Sequence, residues 1–149
     1  MDSVARGSPG RARIVVGIDG SEPSKEALRW AGRLAAAEAA TIEVVGVWQL
    51  PSSVGWATVS PDFALADEFK IAVDKAVDQT FDERPGDLTV RCVEGDPAAV
   101  LLDASRDALM VVVGSRGHGG FMGLLLGSVS AKVAENATCP VLVVHARAD

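Results

Sequence analysis

The chain has 149 residues, with 14 basic against 20 acidic side chains for a formal charge of −6, two cysteines, two histidines and no tyrosine. A chain of that length makes one domain, burying about 70% of the surface its unfolded form exposes, so stapled or metal-dependent mini-protein folds are excluded. The 48% apolar content argues against disorder, and no apolar run approaches the ~20 residues that cross a bilayer.

Residues 1–12, MDSVARGSPGRA, are polar without an apolar stretch, so a flexible tail, no secretory signal and a cytoplasmic location are expected. Ile14 to Ile18 is a short continuous apolar run ending at Asp19-Gly20-Ser21, the pattern of a strand buried on both faces and then a turn. Ser21 or Ser24 can cap the next segment, where Ala27, Leu28, Ala31, Leu34 and Ala35 recur at helical spacing up to about Ala40. Ile42 to Trp48 reads as a second β-branched, apolar strand, and Gln49 to Ser60 as a loop broken by prolines and serines. From Pro61 to about Arg84, Phe69, Val73, Ala76, Val77 and Phe81 mark a second amphipathic helix, stopped by Pro85-Gly86.

Leu88 to Val93 alternates apolar and polar residues, as a strand near a sheet edge does. Asp96-Pro97 supplies an N-cap and a first-turn proline for a short third helix with Val100, Leu101 and Ala104 as its buried stripe. Leu109 to Val113 is a fully apolar strand, Gly114 to Gly127 a glycine-rich loop, Ser128 to about Asn136 a helix, and Val141 to His145 a last strand. Five strands alternating with four helices predict an α/β fold: one doubly wound, five-stranded parallel sheet with helices on both faces. In such sheets ligands sit beyond the carboxyl ends of the strands where strand order reverses, which singles out residues 17–21 and 114–130.

Cys92 and Cys139 form no Cys-x-x-Cys pair and read as buried small hydrophobes. His118 and His145 are too few for a histidine-rich metal site. The acidic balance works against wrapping a nucleic-acid backbone, so neither nucleic acid nor membrane is expected as a partner, and any phosphate must be held locally.

The stretch from Gly114 to Gly127 carries six glycines, at 114, 117, 119, 120, 123 and 127. Glycine allows positive φ and lets main-chain N–H groups approach a ligand closely, so Gly117 and Gly127 are expected to be needed for one or the other. Gly127-Ser128-Val129-Ser130 then opens a helix whose first amides are unpaired and whose dipole favours negative charge. Between Asp107 and Glu135 the only fully charged side chains are Arg116 and Lys132, so the patch stays basic in an acidic protein. The bland alternative is a mobile loop with Ser128 capping the helix. Leu124, Leu125 and Leu126 read as packing residues, and Trp48 and Trp56 as core or interface rather than purine-stacking residues.

No Gly-x4-Gly-Lys-Ser/Thr, no Gly-x-Gly-x-x-Gly after the first strand and no Gly-x-Ser-x-Gly occurs. The loop does fit Gly-x2-Gly-x9-Gly-Ser through Gly114, Gly117, Gly127 and Ser128. With Val-Gly-Ile-Asp-Gly-Ser near the start, Glu94-Gly95-Asp96-Pro97 and Ala137-Thr138-Cys139-Pro140 before the last strand, the chain resembles the ATP-binding branch of the universal stress protein family. The resemblance covers residues 13–146, making 13–149 one universal stress protein domain after the tail. It implies a Rossmann-like fold related to the adenine nucleotide alpha hydrolases, ATP with Mg²⁺ across the strand ends, and a homodimer through the last strand. Asp19 matches the aspartate that contacts the nucleotide, Gly17 a position that leaves it room, and Val47 the residue whose main chain meets adenine. Gly114, Ser115, Arg116, Gly117, Gly119 and Gly120 match the loop around ribose and phosphates; Gly127, Ser128, Val129 and Ser130 match the helix start. Asp19 could otherwise simply hold the turn into the first helix.

The resemblance implies a nucleotide-dependent regulator in the stress response, and no base stands out for a triphosphate hydrolase. The alternatives are a slow ATP hydrolase, a nucleotidyl-transferring enzyme like the ATP pyrophosphatases, and a nucleotide-free dimeric stress protein.

Overall fold

The computed structural model describes residues 10–49, 62–117 and 126–146. The expected tail up to residue 9, the loop over 50–61 with Trp56, and residues 118–125 with His118, Gly119, Gly120, Leu124 and Leu125 lie outside the described residues. The elements run β1 (Arg13–Ile18), α1 (Glu22–Glu38), β2 (Thr41–Trp48), α2 (Asp62–Thr80), β3 (Leu88–Glu94), α3 (Pro97–Ala104), a 3₁₀ turn at Ser105–Asp107, β4 (Met110–Gly114), α4 (Ser128–Asn136) and β5 (Val141–Val144).

All neighbouring strands pair in parallel in the order β3-β2-β1-β4-β5. The expected doubly wound sheet is therefore present, with the less apolar β3 at one edge and β5 at the other. Strand order reverses between β1 and β4, where the chain leaves each strand at its carboxyl end and opens a crevice. Alternate residues of each buried strand face opposite layers. Ile14, Val16, Ile18, Ile42 and Val44 pack with α1 and α2, while Val15, Val45, Val111 and Val113 pack with α3 and α4.

Ser21, rather than Ser24, is the cap of α1: its Oγ accepts from Ser24 N at 3.3 Å. The end of α1 is less orthodox, since Ala39 takes the left-handed conformation at φ 54° and donates its amide to Ala35 O. That conformation costs a non-glycine residue about 1 kcal/mol, and the chain accepts it to turn directly into β2. Helix α2 stops at Thr80, short of the expected Arg84, whose guanidinium folds back to Asp74 and Asp78 at 3.3 and 2.7 Å.

The apolar reading of β2 overlooks Glu43, which is buried near the amino end of that strand. Arg13 on β1 donates to its Oε1 at 2.7 Å, and Arg91 on β3 donates to its Oε2 at 3.0 Å. Arg13 also donates to Ala104 O, closing the carboxyl end of α3. Both carboxylate oxygens are satisfied, as burial of a charge demands. The cluster ties three strands at the end of the sheet away from the crevice.

Candidate functional site

A cleft of about 290 Å³ opens at the strand-order reversal. Of the thirteen residues matched to nucleotide contacts, ten line it: Gly17, Asp19, Val47, Gly114, Arg116, Gly117, Gly127, Ser128, Val129 and Ser130. Ser115 stands just behind the lining, buried, and Gly119 and Gly120 lie outside the described residues. Residues from four separate segments thus meet in one place.

Each segment is held by identifiable contacts. After β1, Asp19 Oδ1 accepts from Ser21 N at 2.9 Å and Ser21 Oγ at 2.6 Å, while Asp19 N donates to Ser24 Oγ at 3.3 Å. The turn-holding role is therefore real for one carboxylate oxygen. The other, Oδ2, lies directly against Gly117, where a Cβ would collide with it. After β4, Ser115 N donates to Val144 O at 2.7 Å, and Ser115 O accepts from Gly127 N at 2.7 Å. The two ends of the glycine loop consequently touch, with Gly127 packed on the backbone of Arg116 and Gly117.

The first turn of α4 faces the cleft without a side-chain cap. Its cap residue is Gly127, in extended conformation at φ −71° and ψ 168°, so the reading of Ser128 as the cap is not what the chain adopts. The amides that open such a helix are the natural partners of an anion. Arg116 and Asp19 are the charged side chains among the described lining residues.

The reason for the glycines differs from the expectation. None of Gly114, Gly117 and Gly127 has positive φ; Gly10, Gly20 and Gly95 do. Close approach explains Gly114, whose Cβ would stand 2.7 Å from the Pro23 carbonyl carbon and 2.9 Å from Ser24 N at the start of α1. It explains Gly117 through Asp19. At Gly127 neither φ nor the protein's own packing calls for glycine, because a Cβ there would meet only ordinary contacts at 3.4 Å and beyond. Gly17 lines the cleft and also leaves room for α3: Leu101 Cδ1 stands 3.0 Å from its would-be Cβ.

Sequence reasoning missed six lining residues: Ile18, Ser24, Val45, Pro97, Leu101 and Val113. Only Pro97 carried a signal, through Glu94-Gly95-Asp96-Pro97; the others are apolar or capping positions whose cleft-facing side depends on packing. Cys92 and Cys139 are half-buried free thiols on opposite core layers. Burial pushes both thiols up from the ordinary range, leaving them protonated and weakly nucleophilic at neutral pH. Among the described residues no His, Cys, Asp or Glu cluster could hold a metal by itself, and no helix is long and apolar enough to cross a membrane.

A universal stress protein of Mycolicibacterium smegmatis is 36% identical over 92% of this chain, which spans 47% of that protein, so the chain covers about half the length of the curated relative it matches. A universal stress protein solved in complex with cAMP superposes with a TM-score of 0.71 at 28% identity, over 91% of this chain and 98% of that one. The fold is also that of a universal stress protein from Archaeoglobus fulgidus solved in complex with dAMP, at a TM-score of 0.60 and 23% identity over 90% and 97% of the two chains. The universal stress protein family description matches residues 10–145, and the chain belongs to that family.

Proposed function

We propose that the cleft holds an adenine nucleotide, ATP with Mg²⁺, and that its occupancy rather than its turnover is the signal of a stress-response regulator. The observation that carries this reading is the uncapped first turn of α4 set against the Gly114–Gly117 backbone within one cleft. Main-chain amides on two sides suit the oxygens of a phosphate tail, and Arg116 adds a cation at the rim. The ribose and base would lie toward Asp19 and Val47, across the carboxyl ends of β1 and β2. Mg²⁺ would be held mostly by the phosphates, with Asp19 as the carboxylate at hand, and would neutralise tail charge.

The relative solved with cAMP at 28% identity supports an adenine nucleotide as the ligand class. Regulation by occupancy is supported by what the described lining residues offer: donors for a resting anion, and a carboxylate, Asp19, that holds the turn through Ser21. Binding without groups matched to a transition state gives residence rather than rate. Residues 13–149 are read as one universal stress protein domain, cytoplasmic, with β5 at the sheet edge as the strand through which two copies would pair.

Mass spectrometry of the small molecules released on denaturing the purified protein, with calorimetric titration of Mg·ATP, tests the proposal. Retained ATP and a saturable titration are the expected result. Steady pyrophosphate release would replace the regulator with an enzyme. An empty eluate with no titration heat would leave a nucleotide-free stress protein.

A further inference from the structure

We propose that Ser130 is a positioning residue whose hydroxyl clamps the neck of the glycine loop, rather than a side-chain ligand of whatever the cleft holds. Its Oγ is buried and lies 3.0 Å from Ser115 O and 3.1 Å from Gly127 O. Those two carbonyls belong to the residues where the loop leaves β4 and where it enters α4. Gly127 O already accepts from Ala131 N at 2.9 Å as the first bond of the helix, so the contact that adds something non-local is the one to Ser115.

Ser115 is a fixed anchor. Its amide is tied to Val144 O of β5 at 2.7 Å, and its side chain is buried. Ser115 O receives Gly127 N and the Ser130 hydroxyl together, one main-chain and one side-chain donor on the same oxygen. The pair fixes the first turn of α4 against the adjoining Arg116–Gly117 backbone, and both line the cleft. Ser130 lines the cleft, while its hydroxyl, turned to the Ser115 and Gly127 carbonyls, sets the start of α4 against the strand end that carries Arg116 and Gly117. Preorganisation of this kind changes affinity without any contact between the hydroxyl and ligand.

The experiment compares Ser130→Ala and Ser130→Thr with the parent protein in two measurements. The first is the exchange rate of the Gly127 amide hydrogen in the ligand-free protein by NMR. The second is the Mg·ATP dissociation constant by calorimetry, the one arm that rests on the nucleotide reading. Loss of one neutral hydrogen bond predicts exchange and dissociation constant each rising about fivefold in Ser130→Ala, with Thr restoring both because it keeps the hydroxyl. Unchanged Gly127 exchange in a folded Ser130→Ala protein overturns the clamp. Weaker binding with unchanged exchange overturns it too, since that combination marks a direct ligand contact. Should the parent protein bind no ATP, the proposed function falls while the exchange rate still decides the clamp.

Discussion

Helices α1 and α3 begin beside the same end of the sheet as α4, yet they are closed and α4 is not. At α1, Ser21 Oγ takes the amide of Ser24 and Pro23 removes another donor; at α3, Asp96 Oδ2 takes the amide of Ala99 at 2.9 Å and Pro97 does the same. Helix α4 has glycine at the cap, no proline in its first turn, and no side chain on its amides among the described residues. The first two starts are finished by the chain itself and serve stability. The third leaves its first amides without a side-chain cap beside the cleft, and the difference is written in three residues at each start.

The largest effect is expected where a closed start and the open cleft share an atom contact. Gly114 ends β4 against Pro23 and Ser24, and the atoms a Cβ would strike are backbone, which cannot rotate away. Gly114→Ala should cost about 2–3 kcal/mol in a denaturant melt, because either α1 or β4 must shift. Wild-type stability in this variant would mean the α1 start yields easily, and the closed/open distinction would lose its rigid side.

That contact also shows where the sequence was readable. The strands, the helix spacing and the α3 cap are local patterns, and apart from the end of α2, which falls four residues early, each emerged within a residue or two of its place. The glycine motif announced a cleft, but not why its glycines are there: a positive φ and a close neighbour look alike until the neighbour is known. Asp19 against Gly117 and Pro23 against Gly114 are contacts between segments far apart in the chain. Glu43 was hidden for the same reason, since nothing local to β2 reveals that Arg13 and Arg91 stand on either side of it.

The next test converts α4 from an open start to a closed one. Gly127 has a cap conformation that any residue adopts, with ordinary contacts around a Cβ, so Gly127→Asp should fold and supply the missing cap. The carboxylate would take the α4 amides and add a negative charge where a phosphate tail belongs. The ligand-free protein should gain about 0.5 kcal/mol in thermal or denaturant unfolding. Mg·ATP binding should weaken by about 100-fold or more in calorimetry, the loss of two hydrogen bonds to a charged group. Gly127→Ala, which adds bulk without a cap, should keep most of the affinity. If the Asp variant binds as tightly as the parent, the α4 start is not the anion seat.

The smallest effect is expected at a start that is closed and should not touch the ligand. Asp96→Ala removes the cap of α3 while leaving Pro97 in its first turn. The Ala99 amide is solvent-accessible and can turn to water, which holds the loss to about 1 kcal/mol in a denaturant melt. Pro97 and Leu101 of the same helix line the cleft, so an α3 that frayed beyond its first residue would also disturb the floor beside Gly17. A stability loss with Mg·ATP affinity within twofold of the parent keeps cap and cleft as separate devices. A parallel fall in affinity would show instead that the closed starts hold the cleft in shape, and that the open one does not act alone.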